Sequence, residues 1–132
     1  MQISFAVALG LLATSISATP TPITARSSHS VRVQLTNDLT GRWGSVMVPL
    51  DNQRRDVVEL FGKTRVYSHG ALLASSVQLT KIARGGYCTI KDQHGSLIAD
   101  IDDRDTFEDL DGDRSEAKPV DMKGTVITCS KR

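Results

Sequence analysis

Along most of this chain, apolar and polar residues alternate with a period of two. Val31, Val33 and Leu35 alternate with Arg32 and Gln34, the pattern of a half-buried strand. Asn37, Asp38 and Gly41 then supply turn chemistry, and Val46 and Val48 resume the alternation until Pro49 and Asp51-Asn52 end it. A longer stretch carries Leu72, Ala74, Ser76 and Gln78 on one parity and Leu73, Ser75, Val77 and Leu79 on the other. Three more alternating segments cover Tyr87 to Lys91, Leu97 to Ile101 and Val126 to Ser130. Gly70, Gly85-Gly86, His94-Gly95, Asp111-Gly112 and Gly124 punctuate them. One segment, Arg55 to Phe61, fits a short helical turn with Val57, Leu60 and Phe61 on a shared face, although Val57-Val58 suit a strand equally. The expected fold is all-β: a small antiparallel sandwich or barrel with at most one helical turn.

The beginning of the chain follows another rule. Residues 1–18 hold an uncharged apolar run from Ile3 to Ala13, followed by small residues at Ser15, Ser17 and Ala18. That order is expected of a cleavable export signal, cut after Ala18 or Ser17. It is shorter than the roughly 20 apolar residues that span a bilayer, so an anchor is not expected. Residues 19–30, with Pro20, Pro22 and a series of Thr and Ser, read as a flexible leader. The expected organisation is therefore signal 1–18, leader 19–30 and one β-rich domain over 31–132, released to the extracellular side.

The chain of 132 residues has room for one domain. Its 2 cysteines are too few for a multi-disulfide miniprotein or a four-cysteine zinc site. In an exported protein, Cys88 and Cys129 are expected to join in one intramolecular disulfide; two buried thiols or an intermolecular bridge are the alternatives.

Charge changes the picture more than composition does. The net charge is +1, but residues 26–91 carry 10 basic and 4 acidic side chains, while 92–132 carry 6 basic and 11 acidic. A fold can gather the first group into a cationic face or leave it as solvated outward strand positions. Arg42, Trp43, Arg54, Arg55 and Arg84 are the candidate binding residues, Trp43 standing either as an exposed contact or as a plug closing one end of the sandwich. Aromatic residues make up 5% of the chain, too few for the stacking platforms of a single-strand nucleic-acid binder. No nucleic-acid partner is expected; a protein or cell-surface component is, and oligomeric state stays open.

Asp100 to Asp113 holds eight acidic residues in fourteen. Asp109, Asp111 and Asp113 are the candidate ligands for an extracellular calcium ion, although Gly112 sits in the wrong place for an EF-hand loop. The competing expectation is a solvated acidic loop that pairs with the basic first half. No other cofactor is expected. No nucleophile elbow, zinc-binding helix or phosphate loop is present, and His69 and His94 sit in turn-like contexts. A non-enzyme is expected, with a hydrolase using two carboxylates of the 100–113 segment, or a wall-associated structural protein, as alternatives.

Several segments together carry a family resemblance: VRVQLTNDLTGRWGSVMVPLD from Val31, ELFGKT from Glu59, GALLASSVQLTKI from Gly70, YCTIKD from Tyr87 and VITCSK from Val126. In these features the chain resembles the small secreted, effector-like proteins of filamentous ascomycete fungi. The resemblance implies release from the cell and a role at an interface with a host or competitor. It transfers no catalytic residue, and neither the acidic segment nor the Arg54-Arg55 pair belongs to it.

Overall fold

The structure is a computed structural model that describes residues 29–113 and 115–132. The expected export signal and nearly all of the expected leader lie outside the described residues; β1 begins at Ser30, and the His29 carbonyl accepts the Leu50 N–H. The strands are β1 (Ser30–Asn37), β2 (Arg42–Pro49), β3 (Arg54–Asp56), β4 (Tyr67–Ser68), β5 (Ala71–Ala74), β6 (Ser76–Lys81), β7 (Gly86–Lys91), β8 (Leu97–Asp102), β9 (Phe107–Asp109), β10 (Val120–Asp121) and β11 (Val126–Lys131). Helix α1 (Val57–Phe61) lies between β3 and β4.

Two four-stranded antiparallel sheets form the layers, in the orders β2-β1-β6-β9 and β3-β11-β7-β8, beside a small ribbon β10-β5-β4. None of the three closes on itself, so the sandwich half of the expectation holds and the barrel half does not. The alternation seen in the sequence is the inside-outside alternation of these strands. Val31, Val33 and Leu35 of β1, Val77 and Leu79 of β6, Cys88 and Ile90 of β7, Ala99 and Ile101 of β8, and Ile127 of β11 all belong to one buried cluster. Val57, Phe61, Val66, Leu72 and Met122 extend the same cluster. Cys88 and Cys129 lie directly opposite each other across β7 and β11, fully buried, with Cα atoms 4.1 Å apart and their sulfurs bonded. The expected disulfide is present.

The segment Arg55 to Phe61 contains both structures that its sequence suits. β3 takes Arg54 to Asp56, then the Asp56 carboxylate accepts the Val58 and Glu59 N–H groups and starts α1. A side-chain acceptor at this position satisfies amides that a helix start leaves open.

Two expectations need correction. The stretch from Leu72 to Leu79 is not one strand: it divides at Ser75 into β5, which pairs in the ribbon, and β6, which pairs in the first sheet. Ser75 is buried, and its hydroxyl donates to Asp38 Oδ2 (2.6 Å) while accepting the Asp38 N–H (2.9 Å). Its backbone N–H goes to the Thr36 carbonyl and its carbonyl accepts the Leu110 N–H. Ser75 is held there by polar bonds to three other residues, and the burial parity changes across it. Likewise, the acidic segment 100–113 is not a single loop: β8 runs to Asp102, and β9 takes Phe107 to Asp109.

Among the described residues, no helix is long and apolar enough to cross a membrane.

Candidate functional site

The turn joining β1 to β2 organises the surface. Asn37 Oδ1 accepts the N–H groups of Leu39 (3.0 Å) and Thr40 (3.2 Å), and the Asn37 carbonyl accepts Gly41 N–H at 2.8 Å. Gly41 has φ 78°, a conformation that costs a glycine little. The turn thus delivers Arg42 opposite Asn37 and starts β2 there, so Trp43 belongs to a strand. Leu39, at the tip, is 69% exposed.

Strand parity decides where Trp43 points. Trp43 pairs with Thr36 on the outer face, whereas Gly44 is buried opposite Leu35 on the inner one. Trp43 is 52% exposed, which removes the plug reading. Gly44 has no side chain because the space is taken: a Cβ there would overlap Oγ1 and Cβ of Thr64. That close approach carries the next residue, Arg65, beside the start of β2. Thr40, Gly41, Arg42, Trp43 and Arg65 line one open hollow of about 550 Å³. Neither guanidinium has an ion pair among the described residues.

On the other flank of the same turn lies a hollow of about 420 Å³ lined by Asp38, Asp109, Asp111, Asp113, Glu116 and Phe107, among others. It brings the three candidate calcium ligands to one place. The carboxylates of Asp111 and Asp113, however, bind their own loop. Asp111 accepts the Asp113 N–H (3.0 Å) and the Lys118 N–H (2.8 Å); Asp113 accepts Ser115 Oγ–H (2.7 Å) and the Ser115 N–H (3.0 Å), and pairs with Lys118 Nζ at 3.4 Å. Hydrogen bonds to the ionised form hold both carboxyl groups below their ordinary range, from Lys118 N–H at Asp111 and from Ser115 Oγ–H at Asp113. No group of three His, Cys, Asp or Glu side chains is arranged to hold a metal ion among the described residues.

The remaining candidates stand apart. Arg54 lies on the outer face of the second sheet, paired with Thr128, at the edge of a hollow of about 680 Å³ that also holds Tyr87, Thr89 and Lys91. Arg55 is engaged by both oxygens of Asp51, at 2.7 and 2.6 Å, which lowers the Asp51 carboxyl to about 2. Arg84 lines a hollow of about 510 Å³ with Asp102, Asp103, Arg104 and Arg132; Asp103 Oδ2 accepts the Gly85 N–H at 3.0 Å. Arg132 lies over the Tyr87 ring at 4.5 Å and pairs with Asp102 at 3.3 Å. The pairs Arg55–Asp51, Lys118–Asp113 and Arg132–Asp102 each stay within one half of the chain, not across the two halves as the acidic segment suggested. His69 and His94 are exposed in turns, His69 at φ 55°.

Of the five candidate binding residues, only Arg42 and Trp43 share a hollow. Sequence reading missed Arg65 as their companion, because the contact that brings it there, Gly44 on Thr64, joins residues twenty apart and leaves no periodic trace. No protein-family profile, no curated protein and no solved structure matches the chain.

Proposed function

We propose that this is a secreted, non-enzymatic, effector-like binding protein that recognises a component of a host or competitor through the surface around Trp43. The observation that carries this reading is an indole ring held half in solvent, with two guanidinium-bearing residues lining the same hollow. Tryptophan and arginine are the residue types that dominate binding energy at protein surfaces, and a strand-held turn on a disulfide-linked sandwich presents them in a fixed arrangement. A buried cystine between neighbouring strands suits an oxidising compartment, in keeping with the export signal read from residues 1–18. The resemblance to small secreted fungal proteins points to the same setting.

The test is capture. The mature protein, immobilised and passed over host extract, is expected to retain a partner that the Trp43→Ala variant loses, with both proteins melting at the same temperature because Trp43 packs outward. Equal recovery by the two proteins removes Trp43 from the recognition surface.

A further inference from the structure

We propose that the Trp43 hollow is a receptor for an acidic protein segment, one in which side-chain carboxylates flank an apolar residue. This rests on the reading above that Trp43 belongs to the recognition surface, and it names the chemistry of what binds there.

Arg42 and Arg65 come from distant parts of the chain and line the same hollow, with no acidic residue lining it and no ion pair made by either among the described residues. The segments that form it, 39–50 and 62–67, contain no Asp or Glu at all. Guanidinium forks match carboxylates through two parallel hydrogen bonds. This chain already uses that match where Arg55 meets both oxygens of Asp51. The Arg42 and Arg65 forks have no such partner among the described residues. The apolar part of the ligand follows from the surroundings. Trp43 lines the hollow and is half exposed, Leu39 stands 69% exposed at the turn tip, and Met47, two outward positions along β2, is 40% exposed. An aromatic and apolar patch edged by arginine is the composition of a protein-binding centre. A neutral sugar fits less well, since Thr40 is the only lining side chain that both donates and accepts hydrogen bonds. A nucleic-acid strand needs several rings for successive bases, and here there is one.

The chain has a single tryptophan, so its fluorescence reports on this hollow directly. The mature protein is titrated with a blocked peptide of alternating Glu and Leu, the same peptide with Gln for Glu, oligogalacturonate and inorganic phosphate. The expected result is a saturable change with the Glu peptide that weakens at high ionic strength and is absent with the Gln peptide. Arg42→Gln/Arg65→Gln is expected to weaken binding about tenfold or more. The Arg42→Lys/Arg65→Lys protein, which keeps the charge without the fork, is expected to fall between; it also serves if the glutamine variant does not fold. No saturable response to the Glu peptide overturns the proposal. So does an equal response to the Gln peptide, unchanged affinity in both double variants, or tighter binding of oligogalacturonate or phosphate. If Trp43→Ala loses the captured partner while Arg42→Gln/Arg65→Gln keeps it, the recognition surface stands and the acidic ligand falls.

Discussion

Gly44 shows how one missing side chain shapes the surface. It faces inward on β2, and the atoms that a Cβ would strike belong to Thr64, whose hydroxyl donates to the Phe61 carbonyl at 2.7 Å. Thr64 is therefore held on both sides, and a Gly44→Ala protein has to displace it. Such overpacking costs about 1–3 kcal/mol, and urea unfolding is expected to show a decrease in that range. Weaker peptide binding at Arg65 should accompany it, because Arg65 directly follows Thr64 in the chain. A variant as stable as the parent means that Thr64 yields freely and does not position Arg65. The Asp51–Arg55 pair makes a different prediction. Arg55 lowers the Asp51 carboxyl from 3.8 to about 2, so the unfolded chain binds more protons between those values than the folded one. Stability from this pair is present above the ordinary carboxylate value and drains away as pH falls towards about 2. Asp92, Asp102, Asp111 and Asp113 are shifted in the same direction, chiefly by N–H or O–H donors, and add to the same acid slope. Denaturation midpoints measured across this window should fall less steeply in Asp51→Asn than in the parent; parallel curves rule out a contribution from the pair.

At the scale of elements, the strands of six or eight residues other than β6 were legible because burial on one face imposes period two over enough positions to be seen. β1, β2, β7 and β11 follow the alternation that their residues predicted; β8 follows it from Ala99 to Ile101 only, because the register shifts before Ala99 and leaves Leu97 exposed. β4, β9 and β10 have two or three residues each, too few for a period, and they exist because a longer neighbour offers them an edge. The break between β5 and β6 was hidden for another reason. Ser75 and Ser76 continue the alternation in composition, yet Ser75 is 1% exposed and bound to Asp38, thirty-seven positions earlier. Replacing Ser75 with alanine removes the hydroxyl and leaves Asp38 Oδ2 with one donor fewer. Asp38 is exposed, so water takes the place of the lost donor; the net loss of such a hydrogen bond is about 0.5–1.5 kcal/mol, and Ser75→Ala is expected to unfold at correspondingly lower urea. An unchanged unfolding midpoint would show that strand pairing alone sets the switch.

For the whole molecule, the disulfide joins central strands of one sheet across a sequence separation of 41 residues, a loop that the chain-entropy view values at about 4 kcal/mol. Cys88→Ala/Cys129→Ala is expected to fall in stability by that order, its urea midpoint shifting down while the far-UV signal below the midpoint stays β-rich. A shift near zero places the whole hold on strand pairing between β7 and β11. The chain's uneven charge is also a whole-molecule matter. Its basic and acidic halves do not neutralise each other through the ion pairs described above. The fold sets a cationic hollow and an acidic one on the two flanks of the turn between β1 and β2.

The sequence by itself determined the β class, the outward and inward positions of the long strands, the turn at Asn37 to Gly41 and the two cysteines that pair. Each of these follows from local periodicity, local turn chemistry or simple arithmetic of thiols. The tertiary structure alone decided that the sheets stay open, that Ser75 divides a strand, that Arg54, Arg55 and Arg84 lie apart, and that Arg65 joins Arg42 and Trp43. Those outcomes depend on contacts between residues far apart in the chain, whose identities leave no mark on their near neighbours.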